Sequence, residues 1–191
     1  MLNRLAAILV ACVVIVVVGG GLAPSPGVAQ SVSPVYQTVT KPTLMAGMAV
    51  PKPKGPVILT VTGRTNLGAV RFDTATLESL GLIRFTTATS WTAEASEFEG
   101  VLLSSLLDVV GADPAATTLK LTALNDFESP APIADAKTWP VMLALKKDGE
   151  YMSRRDRGPI WMIYPQHAYP ELNQREFLSR WVWQLKAITV E

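Results

Sequence analysis

The chain has 191 residues, 49% of them hydrophobic, with 17 Lys and Arg against 16 Asp and Glu. Near-neutral charge with no block of like sign excludes a basic nucleic-acid face and a charged tail. One cysteine, Cys12, and one histidine, His167, exclude an intrachain disulfide and a zinc-spaced His/Cys set.

The N-terminus carries one positive charge at Arg4, an apolar run from Leu5 to Val18, then glycines and prolines up to Ala29. That is the order of a secretory signal, with Gly27 and Ala29 as the small residues before a cut, so a signal peptide is expected over 1–29. Counting the glycines extends the apolar run to Ala23, which leaves an uncleaved membrane anchor as the alternative. A lipoprotein reading through Cys12 is disfavoured because the apolar run continues past it. A protein cut after Ala29 would carry 16 basic and 16 acidic residues and no cysteine, which excludes thiolate chemistry. The expected location is periplasmic or secreted.

Residues 30–56 are rich in Pro, Thr, Ser and Val and close on "PKPKGP". Spaced prolines hold the chain extended, so a Pro-rich linker is expected there and one domain over 57–191. The domain opens with a strand at Val57–Gly63. A short helix follows, with Asp73 as its cap, Leu77 and Leu80 on one face, and Gly81 as its left-handed stop.

"FTTATSWT" then reads as a strand, with Ile83, Phe85, Thr87 and Thr89 on one side and Arg84, Thr86, Ala88 and Ser90 on the other. "FEGVLLSSLLDVVGA" predicts a second helix capped by Ser104, with Leu103, Leu106, Leu107 and Val110 inward and Gly111 as its stop. Strands are expected at Leu119–Leu124, Val141–Leu145 and Ile160–Tyr164, with "KKDGEY" as a hairpin turn. In the C-terminal "SRWVWQLKAITVE", a strand would put Trp181 and Trp183 on one side and Val182 and Gln184 on the other. Short strands with two small helices indicate a single mixed, β-rich α+β domain rather than a doubly wound sheet.

General catalytic machinery is sparse. His167, Ser104, Ser105 and Asp126 read as loop, helix and turn residues without convergent partners. Arg154, Arg155 and Arg157 read as a solvated edge. Core packing accounts for Trp181 and Trp183, while Trp91 and Trp161 stay open.

Taken in order, "LTVTG", "LESLGLIRFTTATSW", "FEGVLLSSLLDVVGA", "LTALNDF", "MLALKKDGEYMSRRDRGPIWMIYP" and "WVWQLKAITVE" resemble the oxidoreductase molybdopterin-binding domain. That is the fold of sulfite oxidase and of the catalytic subunit of the periplasmic protein-methionine-sulfoxide reductase. The resemblance spans Val57 to Glu191. It implies a molybdenum-binding cysteine on a strand, a tryptophan a few residues later, a "GxPL" turn and a "GxPxRLxxP" motif. Trp91 matches the tryptophan and Gly100-Val101-Leu102-Leu103 the turn, but Thr87 stands at the cysteine position. Gly158, Pro159 and Pro165 match the second motif, with Trp161 in place of its arginine.

A threonine hydroxyl is a neutral, hard donor where the family uses a soft anionic sulfur, so the usual molybdenum centre looks unsupported. The resemblance places any cofactor contacts at Thr87, Trp91, Asn125, Gly158 and Trp161, with molybdopterin as the cofactor implied. One reading is an exported protein that binds a ligand or a partner through the old pocket. A second keeps an active molybdopterin-dependent oxidoreductase, its metal held by the dithiolene with water or the Thr87 oxygen. A third is a scaffolding module docking on a membrane-bound or periplasmic protein. A cavity beneath Thr87, near Asn125 and Gly158, separates them, and Trp161 filling it would exclude the whole cofactor.

Overall fold

The computed structural model describes residues 35–92 and 94–191; the expected signal segment, Cys12 and residues 30–34 of the linker lie outside them. In chain order the elements are β1 (Gln37–Thr38), β2 (Leu59–Gly63), β3 (Val70–Phe72), α1 (Thr74–Glu78), β4 (Leu82–Thr87) and β5 (Ser96–Leu102). Then follow α2 (Leu103–Val110), β6 (Thr118–Ala123), β7 (Glu128–Pro132), α3 (Asp135–Thr138), β8 (Met142–Lys147) and β9 (Glu150–Tyr151). The chain ends with β10 (Trp161–Ile163), α4 (Arg175–Leu178) and β11 (Leu185–Val190).

Two sheets enclose the core, as the α+β expectation requires. One runs β1-β4-β5-β8-β10, with β9 also on β8; the other runs β3-β2-β11-β6-β7. The pairing of β2 with β11 is parallel, which joins an early strand and the last one in one sheet. Leu59, Val61, Leu119, Leu121 and Ile188 from the second sheet and Phe85, Phe98 and Val101 from the first are all buried. Among the described residues no helix is long and apolar enough to cross a membrane.

Local chemistry sets several boundaries. Asp73 caps α1 by accepting from Thr76 N at 2.8 Å, and its other oxygen accepts from the backbone N–H groups of Lys54 and Gly55. The Thr76 side chain first, then the Gly55 amide, holds this carboxyl well below the ordinary carboxylate range. The described part of the Pro-rich segment is tied to the domain: Val39 N donates to Leu82 O, and Leu44, itself buried, donates to Ser79 O.

The second helix begins later than its apolar pattern suggests, because residues 96–102 form β5. Gly100 permits this strand, since a Cβ there would clash with the Leu143 carbonyl of β8. Leu102 rather than Ser104 precedes the first turn of α2, without a side-chain cap, and Ser104 lies inside it; Gly111 ends the helix in the left-handed conformation as expected.

At the C-terminus the expected tryptophan strand is not formed. Gln184 turns at φ 53°, its N–H donating to Arg157 O, so β11 starts only at Leu185. Trp181 is consequently buried, whereas Trp183 keeps 37% exposure.

Candidate functional site

The alternation read in "FTTATSWT" holds: Ile83, Phe85, Thr87 and Thr89 are buried, while Thr86, Ala88 and Ser90 are exposed. Thr87, the last residue of β4, is 0% exposed. Its Oγ1 accepts from His167 N at 3.3 Å and donates to Ala88 O at 3.2 Å. Thr89 Oγ1 pairs with Thr92 Oγ1 at 2.9 Å and accepts from Trp91 N at 3.2 Å. These hydroxyls brace the loop that carries Trp91, as short hydroxyl side chains do in turns.

Above them lies an open groove of about 630 Å³ whose lining includes Thr86, Ser90, Gln166, His167 and Asn173. No lysine or arginine lines it. The His167 ring packs on Phe85 at 5.4 Å, and burial pushes its pKa below the usual histidine value, against an opposing bond to the Val35 backbone. Thr87 borders this groove as part of its floor, but its side chain presents no accessible surface to it.

Trp161 occupies the interior beside it. It is 0% exposed, meets Phe98 edge-on at 5.5 Å and 89°, and lies 6.2 Å from Trp91 and 6.5 Å from Trp181. Its Nε1 donates to Trp181 O at 3.3 Å. The Arg157 guanidinium sits 5.0 Å over the Trp161 ring and 5.8 Å from that of Trp183, and donates to Trp91 O at 3.0 Å. Arg154 and Arg155 are exposed, as a solvated edge requires, but Arg157 turns inward at φ 72°. Nothing in the run of three arginines marks which one does so.

Behind Trp181 is a buried polar group. Tyr164 Oη donates to Asp135 Oδ2 at 2.7 Å, and Arg180 Nη1 donates to the same oxygen at 2.9 Å. Burial first, then the Asp135 charge, pushes the Tyr164 hydroxyl pKa well above its ordinary value.

Asn125 follows β6 in a turn, its Oδ1 accepting from Phe127 N at 3.2 Å. Together with Trp91, Phe127, Trp181 and Trp183 it lines a cavity of about 310 Å³, distinct from the groove over Thr87. Gly158 lines neither; a Cβ there would strike the Met152 carbonyl oxygen. Of the five residues singled out in the sequence, the structure therefore brings Trp91 and Asn125 to one cavity, packs Trp161 against Trp91, and leaves Thr87 and Gly158 apart.

The family model for the oxidoreductase molybdopterin binding domain matches residues 69–171. No curated protein matches the chain. Among solved structures the fold is similar to the sulfane dehydrogenase SoxCD from Paracoccus pantotrophus, with a TM-score of 0.55 and 18% identity over 69% of this chain. That likeness is one of fold, and the chain spans 37% of the length of that relative.

The residues present do not fit a molybdenum-pterin group. The Thr87 oxygen is sealed and engaged in two hydrogen bonds, and it supplies no anionic sulfur. Trp161 is packed into the core with no accessible surface, and the groove over Thr87 offers no lysine or arginine for a phosphate. Among the described residues no group of three His, Cys, Asp or Glu side chains is placed to hold a metal.

Proposed function

This chain belongs to the oxidoreductase molybdopterin-binding domain family, and from that premise we propose that it is an exported member that binds a ligand or partner without molybdenum catalysis. The observation that carries the reading is the state of residue 87. The resemblance implies a soft anionic sulfur presented to an open pocket, and a neutral hydroxyl with no accessible surface supplies neither. The burial of Trp161 supports it independently, because filled aromatic packing replaces the charged group the family motif carries there. Export rests on the N-terminal pattern of Arg4, the Leu5–Val18 run and the small residues ending at Ala29.

The test is to produce the chain in a host that makes the molybdenum cofactor, recover it from the periplasm, and measure molybdenum and pterin per chain. Both should lie far below one per chain. Near-stoichiometric molybdenum would overturn the proposal and establish an oxidoreductase with a non-cysteine metal site. Recovery only from the cytoplasm, with residues 1–29 intact, would refute export.

A further inference from the structure

We propose that two apolar turns and the basic, proline-rich segment beside β3 dock the chain on an anionic lipid surface. Exposure comes first. Among the described residues seven large hydrophobic side chains are exposed, and three of them, Met45 at 55%, Met48 at 44% and Leu67 at 48%, sit on just two turns. Scattered singly they would mean nothing, but grouped they mark a contact surface. The grouping is structural. Met48 N donates to Met45 O at 3.1 Å to close the first turn, and the second, around Leu67, joins β2 to β3. Both stand at the Gly111 end of α2, since Asn66 N donates to Gly111 O at 2.8 Å and Ala46 lines one cavity with Gly111.

Charge gives the sign. Leu67, Lys52 and Arg71 line one open groove of about 610 Å³, with Val50 and Pro51 among its walls and no acidic residue in its lining. Lys52, Lys54 and Arg71 are exposed, and none of them forms an ion pair among the described residues. The neighbouring carboxylates are engaged elsewhere. Asp113 accepts from Arg64 at 2.6 Å, and Asp73, itself buried, accepts from the backbone N–H groups of Lys54 and Gly55. Asp108, which shares the cavity with Ala46, offsets at most one of the three cations.

The occupant must therefore be anionic and must also take up apolar turn tips. A small free anion meets only the first need. A lipid surface meets both, with headgroup phosphates for the cations and acyl chains just beneath for Met45, Met48 and Leu67. It also demands no fixed shape, which suits flexible methionine side chains on turns. Export, as proposed above, brings the chain to a membrane, and the inference rests on that reading for the encounter while leaving residue 87 aside.

The purified full chain is titrated with vesicles of phosphatidylcholine, alone or with about one part phosphatidylglycerol to three parts phosphatidylcholine. Hydrogen exchange read by mass spectrometry follows residues 45–54 and 65–71. On the anionic vesicles both stretches should gain protection, half-complete at a lipid concentration at least about ten-fold lower than on the neutral ones. Lys52→Gln and Arg71→Gln should each raise the lipid required about five-fold, and Leu67→Ser by about as much. All three sites are exposed, so the variants keep the fold. Added salt should reverse the protection. An N-terminal anchor, if retained, would tether the chain to both lipids alike, so the contrast between them stays readable. Equal protection on both lipids, none on the anionic one, or protection unchanged by all three substitutions overturns the inference. Protection by polyglutamate without any on anionic vesicles assigns the surface to an acidic protein and overturns it too. Localisation is measured apart: recovery only from the cytoplasm defeats export, whereas the vesicle results decide docking alone.

Discussion

Replacing Trp161 with the arginine that the family motif carries tests whether residue 161 is core or the wall of a pocket. The tryptophan is fully buried, and a buried indole of about 150–250 Å² is worth about 4–6 kcal/mol of apolar burial as an upper estimate. An arginine there would also stand about 5 Å from the Arg157 guanidinium, a repulsion of about 3 kcal/mol at an effective dielectric constant near 20. The sum, about 7–9 kcal/mol, rivals the whole stability of an ordinary domain. Trp161→Arg should therefore be recovered unfolded or insoluble. Trp161→Phe, which keeps an aromatic ring against Phe98 but leaves the Trp181 carbonyl without the indole donor, should fold and lose about 2 kcal/mol. Urea unfolding followed by far-ultraviolet circular dichroism measures both. A Trp161→Arg protein with an unfolding midpoint like that of the unsubstituted chain would refute the reasoning, since it would mean that water reaches residue 161.

Three further outcomes follow from the same geometry. Tyr164→Phe should cost about 1–2 kcal/mol in urea unfolding, whereas Asp135→Ala should cost more, about 2–4 kcal/mol, because it strands the half-buried Arg180 charge and the buried Tyr164 hydroxyl together. Gly158→Ala should lower the melting temperature by an amount equivalent to about 1–3 kcal/mol, since the new methyl meets the Met152 carbonyl. Lys146 donates to Glu99 at 2.6 Å, and that bond raises its pKa. Its stabilisation is therefore full below the ordinary 10.5 and lost as the pH climbs through the raised folded value, so the stability gap between the unsubstituted chain and Glu99→Gln should narrow above that pH. A gap that instead widened on the alkaline side would contradict the sign of the effect.

What was legible came from short-range rules. The Asp73 cap, the stop at Gly111 and the Asp148-Gly149 turn each depend on a few neighbouring residues and are found, with positive φ at Gly111 and at both turn residues; α1 ends earlier than expected, at Glu78 on a Ser79 cap, although Gly81 does take a positive φ. That Ile83, Phe85 and Thr87 share one side follows from the two-residue period of a strand; that this side is the buried one is decided by the packing of the sheet. The edge strand β7 escaped because Pro130 and Pro132 break the usual strand signal, although an edge needs no donor on its open side. β5 escaped because Phe98, Val101 and Leu102 also satisfy a helical period, and only the close approach of Gly100 to β8 decides between them.

The amino-acid order by itself determined the family, the α+β class and the absence of a thiolate at residue 87, since each depends on residue identity and local periodicity. Contacts between residues far apart in the chain decided everything about what the site can hold. Arg157 reaches back 66 residues to the Trp91 carbonyl, and His167 reaches 80 residues to the Thr87 hydroxyl. Trp161, open to either reading as a letter, becomes core because Phe98, Trp91 and Trp181 arrive around it from three other segments. Local propensity carries no record of such partners: they are selected by the packing of whole sheets, and they leave one cavity beside Trp181 while sealing the oxygen of Thr87.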